Sequence, residues 1–230
     1  MTEKEILKRI YPSVVTFLGD WQEMLKEVKR LKLKEISLFL TCASFLERQK
    51  IYQALEQTKV TEIPHVHLRH DMREQEIAYL IKKFKAKVFT IHYQYFKDYR
   101  DSKYIKRFFI ETNAYHSRIK NPKIISKVGG VCFDLAHIEH FCHSFPADYR
   151  LAAKLAKEYK IGCNHLSAVL PNGRSWHRVY RLSYLDYIKN IPKNYFSNYI
   201  NLELVNSITE QLKFKKYIAK ILAKQWNKKS

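Results

Sequence analysis

Glycine is scarce in this chain: five residues in 230, at positions 19, 129, 130, 162 and 173. That spacing cannot assemble a G-x-G-x-x-G turn or a Walker loop, which excludes dinucleotide-binding and P-loop enzymes. Cysteine is equally sparse. Cys42, Cys132, Cys142 and Cys163 contain no C-x-x-C pair and no small-scaffold spacing, so neither a zinc knuckle nor a disulfide frame is indicated, and three of them fall in apolar runs that read as core. No stretch approaches the roughly 18 uncharged apolar residues of a membrane helix. The first residues lack the apolar run of a signal peptide, and the expectation is a soluble, cytoplasmic protein with no membrane partner. Acidic residues are half as frequent as basic ones, 22 against 42, which leaves a net charge of +20. Such a field attracts phosphorylated substrates or nucleic acid, although lysine spread along nearly every segment reads equally as a compositional habit with solvated basic faces. Internal repeats, low-complexity tracts and Pro/Gly/Ser-rich linkers are also missing, so one domain over 1–230 is expected, with Lys228-Lys-Ser230 as a polar tail.

Apolar residues, 46% of the chain, suffice for a real core. They fall in short β-rich runs separated by amphipathic stretches, the pattern of parallel strands joined by crossover helices. Eight runs can be counted: 13–18, 35–41, 65–69, 87–92, 107–111, 131–134, 161–166 and 199–203. Helical stripes lie at 21–31 (Met24, Leu25, Val28, Leu31), 73–84 (Ile77, Leu80, Ile81, Phe84), 148–159 and 212–226, with Pro146 suited to a helix start and Ser207 to a cap. The segment 93–106 has the weakest helical pattern. Eight strands and about eight helices in a chain slightly under the roughly 250 residues typical of the fold predict a compact α/β barrel, the (β/α)8 or TIM barrel. An open doubly wound sheet is the alternative, but it lacks its glycine-rich phosphate turn.

In such a barrel the reactive groups sit where the strands run out at the C-terminal face. Ligand-type residues fall there on six successive strands: His70, His92, Glu111, Asp134, His165 and Glu203. Each alone reads as an ordinary cap or satisfied polar group. Together, three carboxylates in one place would repel one another without counter-charge, and divalent cations supply it. His137 and His177 stand nearby as further candidates. His140 and His143 read as surface or loop residues, and His65 and His67, alternating with Val66 and Leu68, read as structural.

Short motifs on these strands resemble the xylose-isomerase-like TIM-barrel superfamily and, within it, the endonuclease IV branch. The most specific is Val131-Cys-Phe-Asp134-Leu-Ala-His137, accompanied by Leu68-Arg-His70-Asp, Ile91-His92, Phe109-Ile-Glu111-Thr-Asn113 and Asn201-Leu-Glu203. The resemblance implies two divalent ions (zinc, manganese or iron), one held by His70, His92 and Glu111, the other by Glu111, Asp134, His165 and Glu203. A hydroxide between them would attack a phosphodiester. A third ion would need His137, His177 and an Asp two residues before His177, where this chain has Ser175. Arg69, Arg174 and Arg178 could grip a substrate phosphate.

Two other functions stay open. A one-metal sugar or sugar-phosphate isomerase or epimerase would use Glu111, Asp134, His165 and Glu203, with Glu111 and Glu203 as the acid/base pair and His137 on a sugar oxygen. A non-catalytic barrel could bind nucleic acid through its basic helices. His70 and His92 discriminate in favour of the dinuclear hydrolase, because a one-metal enzyme has no need of them.

Overall fold

The computed structural model describes residues 1–112 and 118–227; Asn113 of the strand motif above and the tail at 228–230 lie outside them. After a short helix α1 (Glu3–Leu7) the chain runs β1 (Ile10–Tyr11), β2 (Ser13–Val15), α2 (Trp21–Arg30), β3 (Ser37–Phe39), α3 (Phe45–Glu56), β4 (His65–His67), α4 (Glu74–Phe84), β5 (Val88–Ile91), α5 (Phe96–Tyr99), β6 (Phe108–Thr112), β7 (Gly130–Asp134), α6 (Leu135–Ser144), α7 (Pro146–Glu158), β8 (Ile161–Leu166), the pair β9 (Ala168–Val169) and β10 (Ser175–Trp176), β11 (Ile200–Leu202) and α8 (Ile208–Trp226). Nine strands form one parallel sheet in the order β1-β11-β8-β7-β6-β5-β4-β3-β2. It is the expected TIM-like α/β barrel.

Closure depends on Pro12. Before it, Ile10 and Tyr11 pair with Ile200 and Asn201 of β11; after it, Ser13 pairs with Ser37 of β3. β1 and β2 are thus one bent strand that changes neighbour at a residue without an N–H. The change strands the backbone of Ser13, and a buried side chain of α8 replaces the missing partner. Ser13 N donates to Gln211 Oε1 at 2.7 Å, and Gln211 Nε2 donates to Ser13 O at 3.0 Å. An unpaired buried amide and carbonyl would each cost about 1–3 kcal/mol.

The helices begin at recognisable caps. Asp20 accepts from Glu23 N, and Ser44 and Ser207 form capping boxes with Glu47 and Glu210. Four stripes read from the sequence became α2, α4, α7 and α8. The full set of eight covering helices did not. The segment 93–106 holds the four-residue α5 between 3-10 turns, residues 122–127 form a 3-10 turn, and the β8–β11 connection is a two-stranded hairpin followed by 3-10 turns. The His-rich stretch after β7 is a helix rather than a loop, and His140 on it is buried, its Nδ1–H donated to Gly173 O at 2.7 Å. Two of the four cysteines, Cys132 and Cys163, are core; Cys42 and Cys142 are exposed.

One buried ion network fixes the rim beside the site. Arg48 of α3 is fully buried and grips Glu76 of α4 through Nε (2.8 Å) and Nη2 (2.9 Å), while its Nη1 reaches Ala43 O and Asp71. This fork ties α3 to the loop that carries Arg69 and His70.

Candidate active site at the mouth of the barrel

Residues alternate in and out along each strand, so one inward layer is followed by another two residues on. The lower layer holds Val88, Phe109, Cys132 and Cys163 in one apolar cluster. Two residues later the same strands deliver Thr90, Glu111, Asp134 and His165, joined by His67 from β4 and Glu203 just past β11. All six are buried.

Glu111 is the hub. Its Oε2 meets His92 Nε2 at 2.9 Å and His67 Nε2 at 3.2 Å, and its Oε1 meets His165 Nδ1 at 3.0 Å. Burial works against its charge, but the three imidazoles prevail and hold its carboxyl well below the usual range. The imidazoles divide. Burial opposes charge on His92, yet the Glu111 contact outweighs it and raises its pKa. Burial depresses His67 to about 4 and takes His65 well below the ordinary value. The Nδ1–H of His67 is donated to Leu68 O at 3.1 Å, so a neutral His67 offers Glu111 a lone pair, and a shared proton or a cation must complete that contact.

Glu203 has the opposite environment. Its buried Oε2 makes no hydrogen bond and approaches His165 Nδ1 at 3.5 Å. Burial, then repulsion from Glu111 and Asp134, pushes its pKa well above the usual value. Asp134 ends β7 and caps α6, its Oδ1 accepting from His137 N at 2.9 Å and its Oδ2 lying 3.6 Å from His137 Nε2. His177 donates Nδ1–H to the carbonyl of Glu203 at 3.2 Å, which leaves Nε2 as the acceptor, and burial lowers its pKa. Glu111, Asp134, Glu203, His67, His92, His137 and His177 all line one cavity of about 350 Å³, with Arg69 and His70 farther out.

Two overlapping sets of donors are close enough to hold a metal ion: Glu111, Asp134, His165 and Glu203, and His67, Glu111 and His165, with ligand atoms within 4.8 Å of one another. The proposed ligand grouping on the third and fourth strands is not assembled. His70 lies exposed beside Tyr95, ring centroids 5.0 Å apart, and belongs to neither set; His92 touches Glu111 but also stands outside both. His67, read as structural, takes the place assigned to His70. The reason is register: His67 is the last inward residue of β4, and the strand ends before His70. Ser175 does lie against His137, Oγ to Nδ1 at 3.4 Å. Of the three arginines read as phosphate ligands, Arg69 lines this cavity, Arg178 lines a neighbouring one, and Arg174 is exposed on the hairpin between β9 and β10. His177, read from the sequence only as a ligand of a third ion, lines the cavity, and His67, read as structural, is a partner of Glu111 that was missed. Alternation along β4 was the available signal for His67.

No family model matches the chain, and no curated protein matches it. Among solved structures, a 4-hydroxy-2-oxoglutarate aldolase/2-deydro-3-deoxyphosphogluconate aldolase from TTHB1 aligns over 96% of this chain and 99% of its own, at 9% identity and a TM-score of 0.45. The resemblance to xylose-isomerase-like barrels and endonuclease IV is corrected by the site itself: His70 is exposed and neither His70 nor His92 belongs to a donor set, so the histidine pair that favoured two-metal hydrolysis is not assembled. The dinuclear phosphoesterase, the metal-dependent sugar isomerase or epimerase and the pair of resident zinc, manganese or iron ions, which rested on that resemblance, are withdrawn with it. A likeness at 9% identity does not transfer a reaction, and among the described residues no lysine lines the cavity to form an imine. No helix among the described residues is long and apolar enough to cross a membrane.

Proposed function

We propose that this protein is an enzyme that moves a proton to and from a small polar substrate held at the barrel mouth, with Glu203 as general acid and His177 Nε2 as general base. The observation that carries this reading is their arrangement on one cavity wall. The Glu203 carboxyl is buried with an oxygen that no protein group satisfies, and the backbone of the same residue fixes the His177 tautomer through its carbonyl. The electrostatics agree in direction: burial and the neighbouring carboxylates Glu111 and Asp134 favour the protonated form of the acid, and burial favours the neutral form of the base. Glu111 stays ionised and orients the imidazoles around it, and His137, tied to Asp134, is placed to hydrogen-bond a substrate oxygen. A cavity of about 350 Å³ suits a reacting end of a few carbons bearing hydroxyl or carbonyl oxygens.

The test is deuterium uptake from D2O into small 2-oxo acids, hydroxyketones and hydroxy acids, followed by proton NMR. Glu203→Gln and His177→Gln should each slow exchange by about 10²- to 10⁴-fold. Exchange that survives both substitutions at the original rate would sink the proposal. Exchange that vanishes on dialysis against a chelator and returns with a divalent ion would overturn the proton-only chemistry.

A further inference from the structure

Beside the main cavity lies a second of about 160 Å³, and His177 lines both. Its other walls are Leu18, Trp176, Arg178, Tyr180 and Val205. Three of the seven large apolar side chains exposed among the described residues gather here: Leu18 at 83%, Tyr180 at 66% and Trp176 at 45% exposure. Single exposed apolar residues are ordinary, but a cluster with two rings at the lip of an acid–base site marks a binding surface. Arg178 has no ion-pair partner among the described residues, so a cation stands free beside the rings.

The cavity is a built feature of the fold. On one side Leu18 is held at φ 48°, a left-handed conformation that leucine rarely adopts, while its neighbour Phe17 packs edge-on against His177 at 4.7 Å between centroids. On the other side the segment after β10 is pinned to the segment after β11. Val205 N donates to His177 O at 2.8 Å, and Val179 exchanges two hydrogen bonds with the Asn206 side chain at 2.8 and 3.0 Å. Both walls are thus fixed before any ligand arrives, which lowers the ordering cost of binding.

We propose that this second cavity is a subsite for the distal part of the substrate, taking one flat aromatic or heteroaromatic ring against Trp176 and Tyr180 and pairing an attached anionic group with Arg178. The volume admits a single ring, the two aromatic side chains supply stacking surface, and Arg178 supplies a planar fork for a phosphate or carboxylate. The shared His177 places the rest of the molecule at Glu203. This assignment rests on the acid–base reading for its orientation, but the binding itself is independent of turnover.

The experiment is equilibrium titration of the full chain by calorimetry and tryptophan fluorescence, with uridine monophosphate and phenyl phosphate as the ring-plus-anion ligands and uridine and inorganic phosphate as the two halves. At least one joined ligand should bind roughly tenfold tighter than either half, and Trp176→Ala and Arg178→Ala should each weaken it roughly tenfold. Trp176→Phe should restore most of the loss, because it keeps a ring. A response to uridine monophosphate alone identifies a nucleotide unit, and one to phenyl phosphate alone an aryl phosphate; both support the subsite. Binding equal to that of inorganic phosphate, binding indifferent to Trp176→Ala, or no binding by either joined ligand at about 1 mM would overturn it. Because the titration reads binding and not turnover, a failed exchange assay with intact Trp176-dependent binding would remove the acid–base reading and leave the subsite standing.

Discussion

At the floor of the barrel Val88, Phe109, Cys132 and Cys163 fill the interior without a charged group, whereas two residues later on the same four strands stand Thr90, Glu111, Asp134 and His165. The floor is packed to its limit. A Cβ added to Gly162 would lie 2.0 Å from the Phe109 ring, and that aromatic can fill the bore because β8 has no side chain there. The mouth is the reverse, with a carboxyl oxygen left without a hydrogen bond and the buried imidazoles of His65, His67 and His165 crowded at 5.1–5.2 Å between ring centroids. One layer secures stability through packing; the next gives up stability to hold reactive groups in place.

That contrast can be broken in four ways. The largest effect is expected at the mouth, where Glu203→Leu should lower proton exchange by about 10²- to 10⁴-fold with the fold intact by circular dichroism. At the floor, Gly162→Ala should destabilise by about 3 kcal/mol in chemical denaturation, because the added Cβ would meet three atoms of the buried Phe109 ring at 2.0–2.3 Å, and a neutral result would show a looser bore than described. Acid comes third. His67 is depressed from 6.5 to about 4, so its contribution is intact above the unfolded value and is lost as pH falls through that window. Stability should therefore drop on acidification, by about 2 kcal/mol from this residue near pH 5. The smallest effect is the stability of Glu203→Leu, expected to rise by about 1 kcal/mol. Its sign follows from a folded pKa raised above 4.5: the wild type loses stability as pH rises above the unfolded value, and the gain should grow in the same direction.

The eight strand runs were legible because continuous apolar segments between amphipathic stripes have few other structural solutions. The strand carrying Glu111 and the strand ends at Asp134 and Glu203 followed from the same pattern. The histidines of β4 were harder. His65, His67 and His70 are close in sequence, and choosing among them needs both the inward parity of the strand and its last paired residue, which pairing with Phe39 and Thr90 sets. The hairpin of β9 and β10 was invisible as a unit, since its two-residue strands are too short to show alternation. The closure by Gln211 was invisible for another reason: its partner Ser13 is 198 residues away.

The sequence by itself determined the barrel and the run of acidic and imidazole groups toward its C-terminal face, because periodicity is a local property that each segment carries alone. The tertiary structure decided that His67 rather than His70 meets Glu111, that Glu203 and His177 share a wall, and that Trp176, Tyr180 and Arg178 flank them. Those outcomes depend on strand register and on contacts between distant segments, and neither is encoded in the spacing of residues along one stretch of chain.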